Sequence, residues 1–97
     1  MRRFELTNKA KSDLREIAIY TQTRWGKRQR NIYLTMLDKA FYALAANKLK
    51  GSDCSEIRIG YRKHLVAKHF IFYREIDANQ IEIVRILHQR MDIETHL

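Results

Sequence analysis

The side chains with the most direct chemical use in this sequence are His88, the arginines Arg58, Arg62, Arg74 and Arg85, and Tyr73 and Glu56. Together they could serve phosphodiester cleavage. An RNA-cleaving site needs a base for the 2′-hydroxyl, an acid for the leaving oxygen and cations at the phosphate. His88 has an ordinary pKa of about 6.5, which suits acid–base work. The four arginines fall on predicted strands or strand ends and could meet an anion, and Tyr73 or Glu56 would complete the set. Each also has a structural use. Arg58 and Arg85 fit paired or solvated strand positions. His69 and Tyr73 share strand parity with Ile71, and His88 alternates with Val84 and Ile86 at the margin of a core. The acidic Asp92-Ile93-Glu94 that follows is a poor neighbour for RNA.

Other chemistry is excluded by composition. The one cysteine, Cys54, can neither close an internal disulfide nor build a cysteine zinc site, so no metal or other cofactor is expected. That usage fits a reducing cytoplasm. No apolar run approaches the roughly 20 residues of a membrane helix. The start Met1-Arg2-Arg3-Phe4-Glu5-Leu6 lacks the apolar core of a secretory signal.

The elements that must position these groups are legible from hydrophobic period. Arg2 to Leu6 predicts a short strand, and Thr7 or Asn8 can cap a helix behind it. At about 100° per residue, Ala10, Leu14, Ile17, Ala18, Thr21 and Trp25 form one stripe, predicting a helix over 8–24 with Trp25 packed at its corner. Gly26 can end it in a left-handed conformation. Tyr33, Met36, Leu37, Ala40, Phe41 and Leu44 predict a second helix over 27–47, antiparallel to the first. Gly51-Ser52-Asp53 reads as a turn. Strands are then expected at Glu56–Ile59, Lys63–Ala67, His69–Ile76 and Ile81–Leu87, with tight turns between them. With zero prolines and three glycines there is little room for linkers, so residues 1–97 are expected to form one domain. The fold class is α+β in the order β-α-α-β-β-β: a helical hairpin on one face of a small, mainly antiparallel sheet.

A second chemistry, protein recognition, emerges from what these helices leave outside their stripes. Ile19 points away from the first helix's apolar face, and Leu34 and Tyr42 stack off the second. Such residues either widen the core or line a groove for a partner helix. The basic residues Arg24, Lys27, Arg28 and Arg30 surround the interhelical turn with no acid among them. The formal charge of +8 is concentrated there. Residues 1–48 hold 11 basic and 4 acidic side chains, whereas residues 49–97 hold 8 and 7. That distribution favours an acidic protein partner on the helices, because complementary charge speeds association. Nucleic acid competes for any basic cluster, but there is no helix-turn-helix pattern, zinc finger or RNP-type sheet motif.

Taken in order, Leu6-Thr7, Ala10, Asp13-Leu14, Ile17, Tyr20-Thr21, Trp25-Gly26, Gln29 and Tyr33-Leu34 resemble the ParE branch of the RelE/ParE toxin superfamily. So do Ile57-Arg58, Gly60-Tyr61-Arg62, His69, Ile71-Phe72-Tyr73-Arg74, Val84-Arg85-Ile86-Leu87-His88 and Arg90-Met91-Asp92. The resemblance covers nearly the whole chain and implies the same β-α-α-β-β-β architecture. It implies the toxin of a type II toxin–antitoxin pair. ParE-like members poison DNA gyrase and are not enzymes, whereas RelE-like members cut messenger RNA on the ribosome; the shared fold does not choose between them. Departures from the RelE pattern favour gyrase: no tyrosine follows His88, and negative charge arrives instead. The resemblance also implies a ParD-like antitoxin with an acidic tail, which carries any DNA binding of the complex. The expected antitoxin contacts are Ile19, Arg24, Lys27, Arg28, Leu34 and Tyr42. The expected target contacts are Arg62, His88, Arg90, Met91 and Asp92, with Met91 as an exposed anchor between polar neighbours.

Overall fold

The structure, a computed structural model, describes residues 3–97. Residue Arg2, at which the first strand was expected to begin, lies outside the described residues. Strand β1 (Arg3–Leu6) leads into helix α1 (Asn8–Trp25), and helix α2 (Lys27–Ala46) returns antiparallel to it. Strands β2 (Ser52–Asp53), β3 (Tyr61–Val66), β4 (His69–Asp77) and β5 (Gln80–His88) follow, and a single turn of helix, α3 (Ile93–His96), ends the order.

Local chemistry sets the helix boundaries. Thr7 caps α1 by accepting the Ala10 N–H at 3.0 Å, while its hydroxyl donates to the Val84 carbonyl at 2.7 Å. One side chain thus starts the helix and ties it to the sheet. Gly26, with φ of 91°, separates the helices by one residue, a backbone angle that disfavours any side chain.

The five strands lie in the order β1-β5-β4-β3-β2. β3, β4 and β5 form the expected antiparallel meander, and β1 pairs in parallel with β5, Leu6 opposite Ile83. The helices cover one face. Leu37, Leu44, Ile71, Tyr73 and Ile83 are fully buried between the layers, with Ile17, Phe41, Ile81 and Ile86 around them. Burying each large side chain contributes about 1.5–3 kcal/mol. The opposite face is also covered. Phe72, Leu87 and Cys54 form a second cluster, capped by Ile57 from the loop before β3 and by Ile93 and Leu97 from the end of the chain.

Several expectations are corrected. Glu56–Ile59 is not a strand but a run of turns in which the Cys54 carbonyl accepts the N–H groups of Ile57 and Arg58. The Asp53 carboxylate holds the Ser55 N–H at 2.9 Å and the Ser55 hydroxyl at 2.6 Å, a local alternative to strand pairing. The strand lies earlier, at Ser52–Asp53, where a turn was expected. Trp25, the last residue of α1, is 69% exposed rather than packed. On α2 the core stripe is rotated toward Leu34, which is half-buried, and away from Met36, which is exposed.

Candidate functional site

The cations expected to serve a phosphate are each bonded within the fold. Arg85 meets Asp13 through Nε at 2.8 Å and Nη2 at 2.9 Å. Arg74 bonds Glu82 at 2.8 Å. Arg62 donates through Nε to the Gly51 carbonyl at 3.1 Å and through Nη2 to that of Leu49 at 3.3 Å. Arg58 donates to the Leu97 carbonyl at 2.8 Å. Tyr73 is fully buried, and its hydroxyl accepts the Gly51 N–H at 2.9 Å and donates to the Lys48 carbonyl at 2.8 Å. Glu56 is exposed in the turn before β3.

Arg62 is also remote from the other expected target contacts. It stands on β3 opposite Tyr73, whereas the far end of β3, Val66, lies opposite His69, and His69 lies opposite His88. Four residues of strand place those ends roughly 13 Å apart. Arg62 instead lines a shallow cleft of about 270 Å³ with Lys48, Leu49, Asp53 and Glu75.

His88, Arg90, Met91 and Asp92 are brought together at the end of β5. The His88 ring meets His69 edge-on, centroids 5.3 Å apart. The Arg90 N–H donates to His88 Nδ1 at 3.2 Å and the Met91 N–H to the His88 carbonyl at 2.9 Å, forming a tight reversal. Asp92 caps α3, accepting the Thr95 hydroxyl at 2.7 Å and the Glu94 N–H at 3.1 Å. The Thr95 bond, with the backbone donors, holds its carboxyl below the usual range. Arg90, Met91 and Asp92 are exposed.

His69 supports this end from beneath. Its Nδ1 lies 2.6 Å from the Tyr33 hydroxyl, which also donates to the Val66 carbonyl at 3.2 Å. Burial, and then the neighbouring His88, pushes its pKa down to about 4. At neutral pH it is an uncharged strut between α2 and the sheet. Burial likewise raises the Tyr33 hydroxyl. The buried Cys54 thiol is also pushed up by desolvation, away from the reactive thiolate.

On the hairpin, Arg24, Lys27 and Arg28 are exposed around the corner, with Arg24 lying over the Tyr20 ring at 5.2 Å. Ile19 and Tyr42 are each 61% exposed. They do not form one patch. Ile19 precedes Gly26 by seven residues and Tyr42 follows it by sixteen, so they lie roughly 10 and 24 Å from the corner. Tyr42 sits edge-on to Phe4, centroids 4.9 Å apart. Leu34 is half-buried. The open outer face of α2 instead presents Arg28, Asn31, Ile32, Thr35, Met36 and Lys39 side by side. Ile32 and Met36 were not expected there. Their spacing of four, directly above Arg28 and below Lys39, was the available signal.

Residues 4–93 match the family described as the ParE toxin of the type II toxin–antitoxin system parDE. The chain belongs to the ParE toxin family. It is therefore the toxin component of a type II pair, with an antitoxin as partner. Toxin ParE1 of Mycobacterium tuberculosis is 43% identical over 95 residues, covering 98% of this chain and 97% of the relative. Toxin ParE1 of Caulobacter vibrioides is 34% identical over 97 residues, covering 100% and 99%. A solved structure described as the chromosomal ParDE TA system from P. aeruginosa shares the fold, with a TM-score of 0.76 at 19% identity over 91% of this chain and 96% of that one. Among the described residues, no helix of this ParE-family toxin is long and apolar enough to cross a membrane.

Proposed function

We propose that this ParE-family toxin, with residues 1–97 acting as one domain in the cytoplasm, inhibits DNA gyrase by binding rather than by catalysis. A ParD-like antitoxin neutralises it by covering the helical hairpin. The observation that carries the non-enzymatic reading is that Arg58, Arg62, Arg74 and Arg85 are all engaged within the fold. Each is bonded to a protein acceptor, and no two share one. A nuclease needs such cations free to meet a phosphate.

Target contact falls to His88, Arg90, Met91 and Asp92. Met91, 44% exposed between charged neighbours, is an apolar anchor inside a polar rim. Arg62 acts at a second point, since it stands at the other end of β3. The antitoxin engages Ile19, Arg24, Lys27, Arg28, Leu34 and Tyr42, together with Ile32 and Met36, whose exposure on α2 supports adding them. Apolar anchors flanked by Arg28 and Lys39 suit an acidic amphipathic partner.

The test is gyrase supercoiling with purified toxin, with and without antitoxin. Inhibition near stoichiometric ratios that antitoxin relieves supports the reading. Unaffected gyrase together with cuts inside translated codons would replace it with a RelE-type nuclease.

A further inference from the structure

The segment that follows β5 leaves the sheet yet is pinned at both ends. At its start, the Gln89 N–H donates to the Lys68 carbonyl at 2.8 Å, and His88 holds the Arg90 and Met91 N–H groups. At its far end two arginines reach over from the body. Arg85 Nη1 donates to the His96 carbonyl at 2.9 Å while its other nitrogens grip Asp13 on α1. Arg58 Nη2 donates to the Leu97 carbonyl at 2.8 Å from the loop before β3. Ile93 and Leu97 are thereby laid on Phe72, Leu87 and Cys54. Between the pinned ends, Arg90, Met91 and Asp92 stand in solvent.

This is the geometry of a presented loop. A four-residue helix cannot hold itself in water, since helices need roughly 12–15 residues to be even marginal. α3 therefore depends on the two arginines and the apolar cap. If the cap were loose, Met91 would sample many directions. Binding would then have to order the whole segment, at an entropic cost for each immobilised side chain.

We propose that Arg58 and Arg85 are positioning residues for target recognition: by clamping the carbonyls of Leu97 and His96 they hold Gln89–Asp92 as a preformed loop that inserts Met91 into an apolar socket on a folded protein. The inference rests on the target-contact reading above. Arg85 couples the loop to α1 through Asp13. Arg58 acts on the loop end alone, being exposed in the turn before β3. The partner is a folded protein with a methionine-sized apolar depression and polar groups around it. A flat or highly charged surface would leave Met91 unmatched.

Arg58 provides the clean test, because replacing Arg85 also strips Asp13 of its partner and could unfold the chain. Three quantities are measured for wild type, Arg58→Ala, Arg58→Lys and Met91→Ala: amide exchange over residues 93–97, gyrase inhibition and antitoxin affinity. For Arg58→Ala, exchange over 93–97 speeds up and the inhibitory concentration rises about tenfold, equivalent to 1.4 kcal/mol. Antitoxin affinity stays at the wild-type value, and the thermal midpoint falls only slightly as the cap over Phe72, Leu87 and Cys54 loosens. Arg58→Lys restores part of both the protection and the inhibition. Met91→Ala weakens inhibition without changing exchange, which separates contact from positioning. If Arg58→Ala frees the segment while inhibition is unchanged, or leaves exchange unchanged, the positioning role is overturned. If wild type itself does not inhibit gyrase although folded and antitoxin-bound, the target reading has failed, and the positioning proposal that rests on it is overturned with it.

Discussion

Asp13 and Arg85, 72 positions apart, meet through two hydrogen bonds of 2.8 and 2.9 Å, and the same carboxylate accepts the Ile86 N–H at 3.0 Å. β1 pairs with β5 only as far as Ile83. Beyond that point the edge of β5 would be open, and Asp13 from α1 takes the place of a neighbouring strand. One helical side chain therefore closes a sheet edge, neutralises Arg85 and, through Arg85, reaches the last turn of the chain.

Removing that carboxylate strands two partners at once. Asp13→Ala leaves the part-buried Arg85 guanidinium with only its bond to the His96 carbonyl, and the Ile86 N–H unpaired. Stability is expected to fall by about 3 kcal/mol. Urea unfolding checks this. A loss under 1 kcal/mol would show that the pair is replaceable by water.

Tyr73 and Gly51 make a second close fit. A Cβ on Gly51 would come 2.5 Å from the Tyr73 hydroxyl and 2.7 Å from the Lys63 carbonyl. Gly51→Ala is expected to cost about 1–3 kcal/mol by overpacking. Tyr73→Phe is expected to cost a similar amount by leaving the Gly51 N–H and the Lys48 carbonyl unsatisfied. The double variant should cost less than the sum, because the two share one contact. Thermal unfolding of the three variants reads this, and strict additivity would contradict it.

His69 gives the fold a pH dependence of definite sign. Its folded pKa, about 4, lies below the ordinary 6.5, so the unfolded chain binds the proton first as pH falls. The stability from neutral His69 is complete above pH 6.5 and is lost as pH falls toward 4. His64, lowered mainly by burial, contributes in the same direction. Denaturant midpoints from pH 7.5 to 4.5 should decline. The slope should shrink in His69→Gln and shrink further with His64→Gln added. An unchanged slope in the double variant would assign the effect to other groups.

How much of this was legible in sequence depends on how far apart the partners lie. The α1 cap, read as Thr7 or Asn8 and found at Thr7, the break at Gly26 and the strands from His69 to Leu87 depend on neighbours within a few residues, and they were legible. The turns at 54–60 did not, because Glu56-Ile57-Arg58-Ile59 alternates like a strand while Asp53 and Ser55 bond the backbone locally. The second cluster around Phe72 is assembled from residues 54–57, 72, 87 and 93–97, which no local period connects. Trp25 has the right phase but stands exposed in the last turn of α1, where helical period alone does not show what lies beneath it. The cations of the candidate site were visible as types, but their bonds to carbonyls such as those of Gly51 and Leu97 were not.

The outer face of α2 separates binding from folding. Ile32→Asp and Met36→Asp are expected to lower antitoxin affinity about 10-fold or more while leaving stability within about 0.5 kcal/mol, since both side chains already face solvent. Leu34→Asp, on a half-buried side chain, should lower stability as well. Calorimetric titration alongside thermal unfolding distinguishes these outcomes. Full antitoxin affinity in the Ile32→Asp, Met36→Asp double variant would move the antitoxin off this face.

The most direct measurement of the central claim is gyrase supercoiling titrated with folded toxin, repeated with Met91→Glu and with saturating antitoxin. Inhibition near stoichiometric ratios is expected, relieved by antitoxin and weakened about tenfold or more by Met91→Glu at unchanged stability. Supercoiling that continues unimpeded in excess wild-type toxin, while induced cells stop growing, would contradict it.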